Sequence, residues 1–393
     1  MRRLFVLILS LGFPFFAFTQ KSASPIVESM LIFPGQEKHV HGSSMVALPN
    51  GDLLSVWFYG NGERNSDDVK LMGARLPKGA KAWSEPFLMA DTPNLPDCNP
   101  VLFLNQSGKL FLVWIAVQSN RWEQSILRVK TTTNYTKPGA PIWEWQDNIL
   151  LKMDDRFAKE IATNLKALPS HEIGWAGYAP KYDEMINAAA LDPMKRNLGW
   201  MTRIKPLLIG ENRMVLPLYS DGFNLSIMAI SDDQGSTWHP SLPVVGRGPI
   251  QPALIRKKNG NIMAFMRDSG DDPPRVHISE STDLGETWTP TIKSEIPNTA
   301  SVELLVLKDG RLAFLGNDIA DGRYRFQLYL SEDEGKIWKW KIPIENVEPG
   351  KGGFSYPSLI QTQDGMLRMT YSSHVGTDQK SMKYVVLDPS KIN

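Results

Sequence analysis

The chain has 393 residues, 42% of them hydrophobic and 22% charged, an ordinary globular composition able to bury a large core. Its formal net charge is +1 with no run of like charges. That excludes the basic stripe a nucleic-acid partner demands and the polybasic patch that would draw it to an anionic membrane.

The first predicted element is a secretory signal over residues 1–19. Arg2 and Arg3 form its charged start, Leu4 to Phe18 its apolar stretch, and Ala17-Phe18-Thr19 a small-residue exit before Gln20. Pro14 and the short length argue against a retained membrane anchor. The one thiol, Cys98, cannot form an internal disulfide, so the mature chain must rely on its core. The expectation is a periplasmic or secreted monomer, not inserted in the membrane, with no metal or other cofactor, since no His/Cys spacing suggests a metal site.

A strand follows at Val27–Phe33, and then tight turns enter apolar strands again and again. They are Pro49-Asn50-Gly51-Asp52, Gln106-Ser107-Gly108, a degenerate Gly210-Glu211-Asn212, Lys258-Asn259-Gly260, Lys308-Asp309-Gly310 and Gln363-Asp364-Gly365. A second repeat interleaves with them. Ser231-Asp232-Asp233-Gln234-Gly235-Ser236-Thr237-Trp238 returns from Ser281 to Trp288 and from Ser331 to Trp338, a period of 50 residues. Such a period marks a repeat architecture with four short strands per unit. In each copy Asp accepts from the backbone of its own turn, Gly takes the positive-φ position, and the closing Trp is expected to pack under the turn, mostly buried. The acids of these turns are structural. Degenerate ends appear at Gly79-Ala80-Lys81-Ala82-Trp83 and Pro141-Ile142-Trp143. Six hairpins predict an all-β, six-bladed β-propeller, with Val27–Phe33 closing the ring beside the last strand near Met382–Leu387. Asp147–Asn197 breaks the period, and Phe157–Leu168 has helical spacing. It reads as a partly helical insertion between blades two and three, with a seventh blade as the alternative.

The three Asp boxes and the blade count resemble the sialidase (neuraminidase) superfamily over nearly the whole mature chain. His41-Gly42-Ser43-Ser44, Gly199-Trp200-Met201-Thr202-Arg203, Ile250-Gln251-Pro252 and Ser355-Tyr356-Pro357-Ser358 are similar to a bacterial, sialidase-like branch of it. The resemblance implies a glycan substrate with an acidic sugar, cleaved at its glycosidic bond. Sialidases hold a carboxylate with three arginines and use a Tyr nucleophile, because a neutral Tyr approaches an anionic sugar that a carboxylate would repel. On that likeness Arg267 and Arg323 match carboxylate-binding arginines and Tyr356 the nucleophile. Asp68, or its neighbour Asp67, takes the place of the acid/base, and Arg203 and Trp200 line the same mouth. Two positions depart from the family. His41 stands where the first arginine would be, and Gln251, which cannot take a proton, stands where a Glu would activate the tyrosine. His41, Tyr356, Arg267 and Gln251 are also similar to the set some propeller polysaccharide lyases use for elimination from a uronate. A carbohydrate-binding propeller without catalysis is the third reading. Each residue has a structural alternative too: Arg267 pairing with Asp268 or Asp271, Tyr356 as a core tyrosine, His41 with His39 bonded to backbone. Trp122, in Asn120-Arg121-Trp122-Glu123, offers a platform for sugar stacking.

Overall fold

A computed structural model describes residues 24–169, 179–376 and 379–392; the signal expected over residues 1–19 lies outside them. After β1 (Ile26–Leu31), blade one is β2 (His39–Ala47), β3 (Leu53–Gly60), β4 (Lys70–Leu76) and β5 (Phe87–Ala90). Blade two is β6 (Asp97–Leu104), β7 (Leu110–Val117), β8 (Ser125–Thr132) and β9 (Trp145–Asn148). Then comes the insertion: α1 (Asp155–Ala167), α2 (Ala179–Leu191) and α3 (Pro193–Arg196). It is helical, so the seventh-blade alternative falls. In α1 the apolar positions Phe157, Ala158, Ile161 and Leu165 share one buried face, and Asp154 caps the start by accepting from Arg156 N.

Blade three is β10 (Met201–Thr202), β11 (Leu207–Ile209), β12 (Arg213–Ser220), β13 (Leu225–Ser231) and β14 (His239–Pro240), its innermost strand broken so that β10 and β11 both pair with β12. Blade four is β15 (Pro249–Arg256), β16 (Ile262–Asp268), β17 (Arg275–Ser281) and β18 (Ile292–Pro297). Blade five is β19 (Glu303–Val306), β20 (Leu312–Gly316), β21 (Arg325–Ser331) and β22 (Trp340–Asn346). Blade six is β23 (Gly353–Gln361), β24 (Leu367–His374) and β25 (Lys380–Leu387), completed by β1 pairing antiparallel with β25. The chain thus ties its two ends into one sheet, the ring closure expected from the sequence, with β1 as its outermost strand. The strands pack on both faces, and β7, Leu-Phe-Leu-Val-Trp-Ile-Ala-Val, is buried throughout.

Antiparallel order within each blade puts the first-to-second and third-to-fourth turns on one rim and the second-to-third turns on the other. The Asp boxes join third to fourth strands. In each, Ser accepts from the Gly N–H and donates to the Asp carboxylate, which also accepts from the backbone N–H four residues on. Trp288 is buried, and Trp238 and Trp338 are half-buried under their turns. The boxes therefore hold the rim far from the strand ends where β2, β15 and β23 begin, and their acids cannot reach a ligand there. No helix among the described residues is long and apolar enough to cross a membrane.

Candidate functional site

At the rim opposite the Asp boxes the strand ends surround a cleft of about 680 Å³. Four of the innermost strands share a device near their beginnings. Their pairing slips by one residue between His41 and Ser44, Cys98 and Val101, Ile250 and Ala253, and Ser355 and Ser358. Inside each slip one residue takes positive φ: Gly42 (66°), Asn99 (50°), Gln251 (57°) and Tyr356 (58°). A bulge adds a residue and re-aims a side chain. For a non-Gly residue the left-handed conformation costs about 1–3 kcal/mol, and it persists where the surroundings over-determine it. Asn99, Gln251 and Tyr356 are each followed by Pro, and all three line the cleft.

Tyr356 is the centre of the arrangement. Gln251 Nε2 and Arg267 Nη1 each donate to its hydroxyl at 3.3 Å. Arg203 and Arg323 lie over its ring, 4.8 and 5.4 Å from the centroid. The His41 ring is 4.0 Å from it, centroid to centroid. An oxygen that accepts from two donors, one cationic, is suited to carry developing negative charge. His41 Nδ1 and Arg267 Nε are buried without a hydrogen-bond partner among the described residues. Such groups are expensive to leave unmade, and a bound polar ligand would relieve them.

Two further histidines flank His41, with ring centroids 5.5 Å (His39) and 5.8 Å (His374) away. Burial holds the His41 pKa well below the ordinary value, helped by the charges of His39, Arg323, His374 and Arg203. The imidazole is therefore neutral. His374 Nε2 lies 2.9 Å from the Val40 carbonyl, which accepts from it; burial lowers its pKa as well. Glu63, in the β3–β4 loop, lies 3.4 Å from His39 Nε2. Burial pushes the Glu63 carboxyl up, but the bond to His39 and the charges of His39, Arg64 and Arg323 outweigh it, and the pKa falls below the ordinary range. Across the cleft stand Trp122, with the Arg64 guanidinium 5.2 Å over its ring, and Asp221. Tyr219 lies beneath, accepting from Asn99 Nδ2 at 3.0 Å.

The structure brings His41, Gln251, Arg267, Arg323 and Tyr356 to this one cleft. Arg267 pairs with neither acid near it: Asp268 is occupied by Lys293 and by the Gly270 and Arg275 backbone, and Asp271 by Lys293. Three expected site residues sit elsewhere. Asp68 organises its own loop, accepting from Ser66 Oγ (2.6 Å), from Asn61 N and Nδ2, and from Lys38; it faces solvent outside the cleft. Trp200 is core: it stacks on Phe223 at 5.8 Å and donates to the Arg196 carbonyl. Arg203 is 2% exposed, below Tyr356 rather than beside a ligand, its guanidinium donating to the Ser43 and Pro357 carbonyls. Burial brings its pKa down to about 10. Among cleft residues the sequence reading missed, Asn99 carried a legible signal, the Asn99-Pro100 pair that parallels Gln251-Pro252 and Tyr356-Pro357. Glu63, Asp221, Tyr219 and His374 had none, because each lies in a turn or at a strand end with nothing local to mark its direction. No cluster of His, Cys, Asp or Glu suited to a metal occurs among the described residues.

The family described as BNR repeat-like domain matches residues 51–158 and 187–369. No curated protein matches the sequence. Among solved structures, a protein of unknown function from Dyadobacter fermentans superposes with a TM-score of 0.66 at 17% identity, covering 92% of this chain and 98% of that one. NanB sialidase from Streptococcus pneumoniae gives 0.68 at 13% identity, covering 94% of this chain and 71% of that one. Penicillium chrysogenum α-L-arabinanase, solved with arabinobiose, gives 0.61 at 14%, covering 94% and 99%. These likenesses establish a shared sialidase-like propeller.

Proposed function

The chain belongs to the BNR repeat-like domain family, and from that premise we propose that it is a carbohydrate-active enzyme, a glycosidase that cleaves a glycan at an acidic sugar. The observation that carries the reading is the convergence of Arg267 and Arg323 on Tyr356 inside one cleft. Two guanidinium groups there form a grip for a sugar carboxylate, each charge-assisted contact stronger than a neutral one. Tyr356 is the nucleophile. Gln251 cannot accept its proton, and the neutral His41 against its ring takes that role.

The test is a screen of purified protein against acidic glycans with product masses read out. Hydrolysis adds the mass of water across the cleaved bond, whereas elimination adds none and leaves an ultraviolet-absorbing double bond. The second reading, elimination from a uronate, is favoured by Gln251 in place of a carboxylate beside Tyr356, and the same screen separates the two. Arg267→Ala is expected to raise KM by roughly 10- to 150-fold with a smaller change in kcat, the loss of one desolvated charge-assisted bond. An unchanged KM would remove the carboxylate grip and with it the acidic sugar.

Export belongs to the same proposal. The mature chain is expected to begin near Gln20 and to be found outside the cytoplasm, as N-terminal sequencing of the native protein would report. A native N-terminus that still carries Met1 contradicts it.

A further inference from the structure

A glycosidase that releases a sugar alcohol protonates the oxygen that leaves, and with Asp67 and Asp68 both outside the cleft lining that donor has to come from elsewhere. Two carboxyl groups line the cleft, Glu63 and Asp221. Glu63 is held by His39 on the side of Tyr356's own neighbours. Asp221 stands in the turn between β12 and β13, on blade three, which the six-blade order sets across the ring from blade six and Tyr356.

That turn is built to hold its place. Phe223 is 2% exposed and wedges between Trp200, parallel at 5.8 Å, and Phe157 of α1, edge-on at 5.4 Å. Asn224 Nδ2 donates to the Ser269 carbonyl at 2.8 Å, and Gly222 N to Ser220 Oγ. The helical insertion therefore buttresses the loop that carries Asp221. Gly199, at φ 75°, lets the Glu123 backbone close against it, where a Cβ would meet the Glu123 carbonyl oxygen at 2.5 Å. The Asp221 carboxylate itself accepts no hydrogen bond from any described residue, although its surroundings are otherwise fixed. Its side chain opens onto the water of the cleft.

We propose that Asp221 is the proton donor to the departing sugar oxygen, and afterwards the base for water, with the helical insertion as its scaffold. The inference rests on the glycosidase reading above. The glycosidic C–O bond breaks with its electron pair on the leaving oxygen, which takes the Asp221 proton. The anomeric carbon bonds to Tyr356 Oη, whose proton passes to His41. Water then attacks that carbon, giving one proton to the Asp221 carboxylate, while Tyr356 leaves and recovers its proton from His41.

The electrostatics agree with this division. Asp221 lines the cleft but stays open to its water, and its pKa is raised, first by partial loss of hydration; Glu123 and Glu63 push the same way, while Arg267 and Arg64 oppose. Tyr219, its other titratable neighbour, is raised far above the ordinary tyrosine value, by burial first, and stays neutral. Glu63 is shifted down and remains ionised. Carboxyl groups pushed apart in this way take acid and charge-stabilising roles respectively.

The experiment compares wild type with Asp221→Asn on two glycosides of the same acidic sugar, an oligosaccharide and a nitrophenyl glycoside whose phenolate departs without a proton. For the oligosaccharide, kcat/KM is expected to fall by roughly 10²- to 10⁴-fold. For the nitrophenyl glycoside the loss is expected to stay within roughly tenfold, and the alkaline limb of the pH profile is expected to disappear. Equal losses on both substrates, or none on either, overturn the Asp221 assignment while leaving the glycosidase reading in place. A wild-type enzyme inert toward both overturns that reading and the assignment together. Because Asp221 is open to solvent in its turn, the variant is expected to melt with the wild type.

Discussion

Replacing Tyr356 by Phe is expected to lower kcat by roughly 10³-fold or more while KM and the melting temperature stay close to wild type. The variant isolates one atom. Phe keeps the ring that Arg203 and Arg323 cover and that His41 packs against, and it keeps a side chain on a backbone already at positive φ. What disappears is the oxygen on which Gln251 and Arg267 converge. If substrate binding is the work of the arginines, KM survives; if chemistry runs through the hydroxyl, kcat does not. A kcat within tenfold of wild type would mean that the cleft binds sugar and the reaction lies elsewhere. The same step fixes the pH dependence. His41 can accept the tyrosine proton only while neutral, and its pKa is lowered, chiefly by burial. Activity is therefore retained as pH falls past the ordinary histidine value of about 6.5, and is lost only when pH drops through the depressed value. In His41→Ala that acid limb should vanish along with most of kcat.

The fold was legible because its signals are local. A turn such as Lys258-Asn259-Gly260 or an Asp box such as Ser281–Trp288 specifies its own geometry within a few residues, and repetition multiplies the signal. The helical insertion was legible for the same reason, through the apolar spacing of Phe157, Ile161 and Leu165. The cleft is different, because depth and direction are properties of the closed ring. Arg203 and Arg267 are alike in sequence, each following a short, mostly apolar run. One proves to be sealed under the tyrosine and the other opens onto the cleft. Asp68 looked right because it precedes an apolar strand, yet its carboxylate is consumed by Ser66, Asn61 and Lys38. Asp221 lay unmarked in a turn whose importance appears only once the insertion is seen packed behind it. The bulge residues fall between these cases. Positive φ at Gln251 and Tyr356 follows from the pairing of one strand with the next, but the repeated X-Pro pair that accompanies it can be read directly.

The second large effect concerns what lies under the tyrosine. Arg203→Ala is expected to cost about 3–5 kcal/mol of folding stability, measured by urea unfolding, and to abolish activity in the fraction that stays folded. The Arg203 guanidinium donates to the Ser43 carbonyl at 3.2 Å and to the Pro357 carbonyl at 2.9 Å, so it ties the bulge of blade one to the bulge of blade six. Truncation removes a buried donor from both carbonyls and opens a cavity beneath the Tyr356 ring. Something is returned, since burying the cation is itself unfavourable, as its pKa of about 10 attests. That relief is smaller than the loss, because Glu303, now facing one positive partner fewer, keeps only Lys205 at 2.9 Å to balance it in the interior. Arg203→Lys would keep the charge but not the fork that reaches two carbonyls at once, and an intermediate loss is expected. If Arg203→Ala unfolds within 1 kcal/mol of wild type (about the cost of an ordinary substitution), the two bulges stand without it. Tyr356 would then owe its strained conformation to Pro357 and the strand pairing alone.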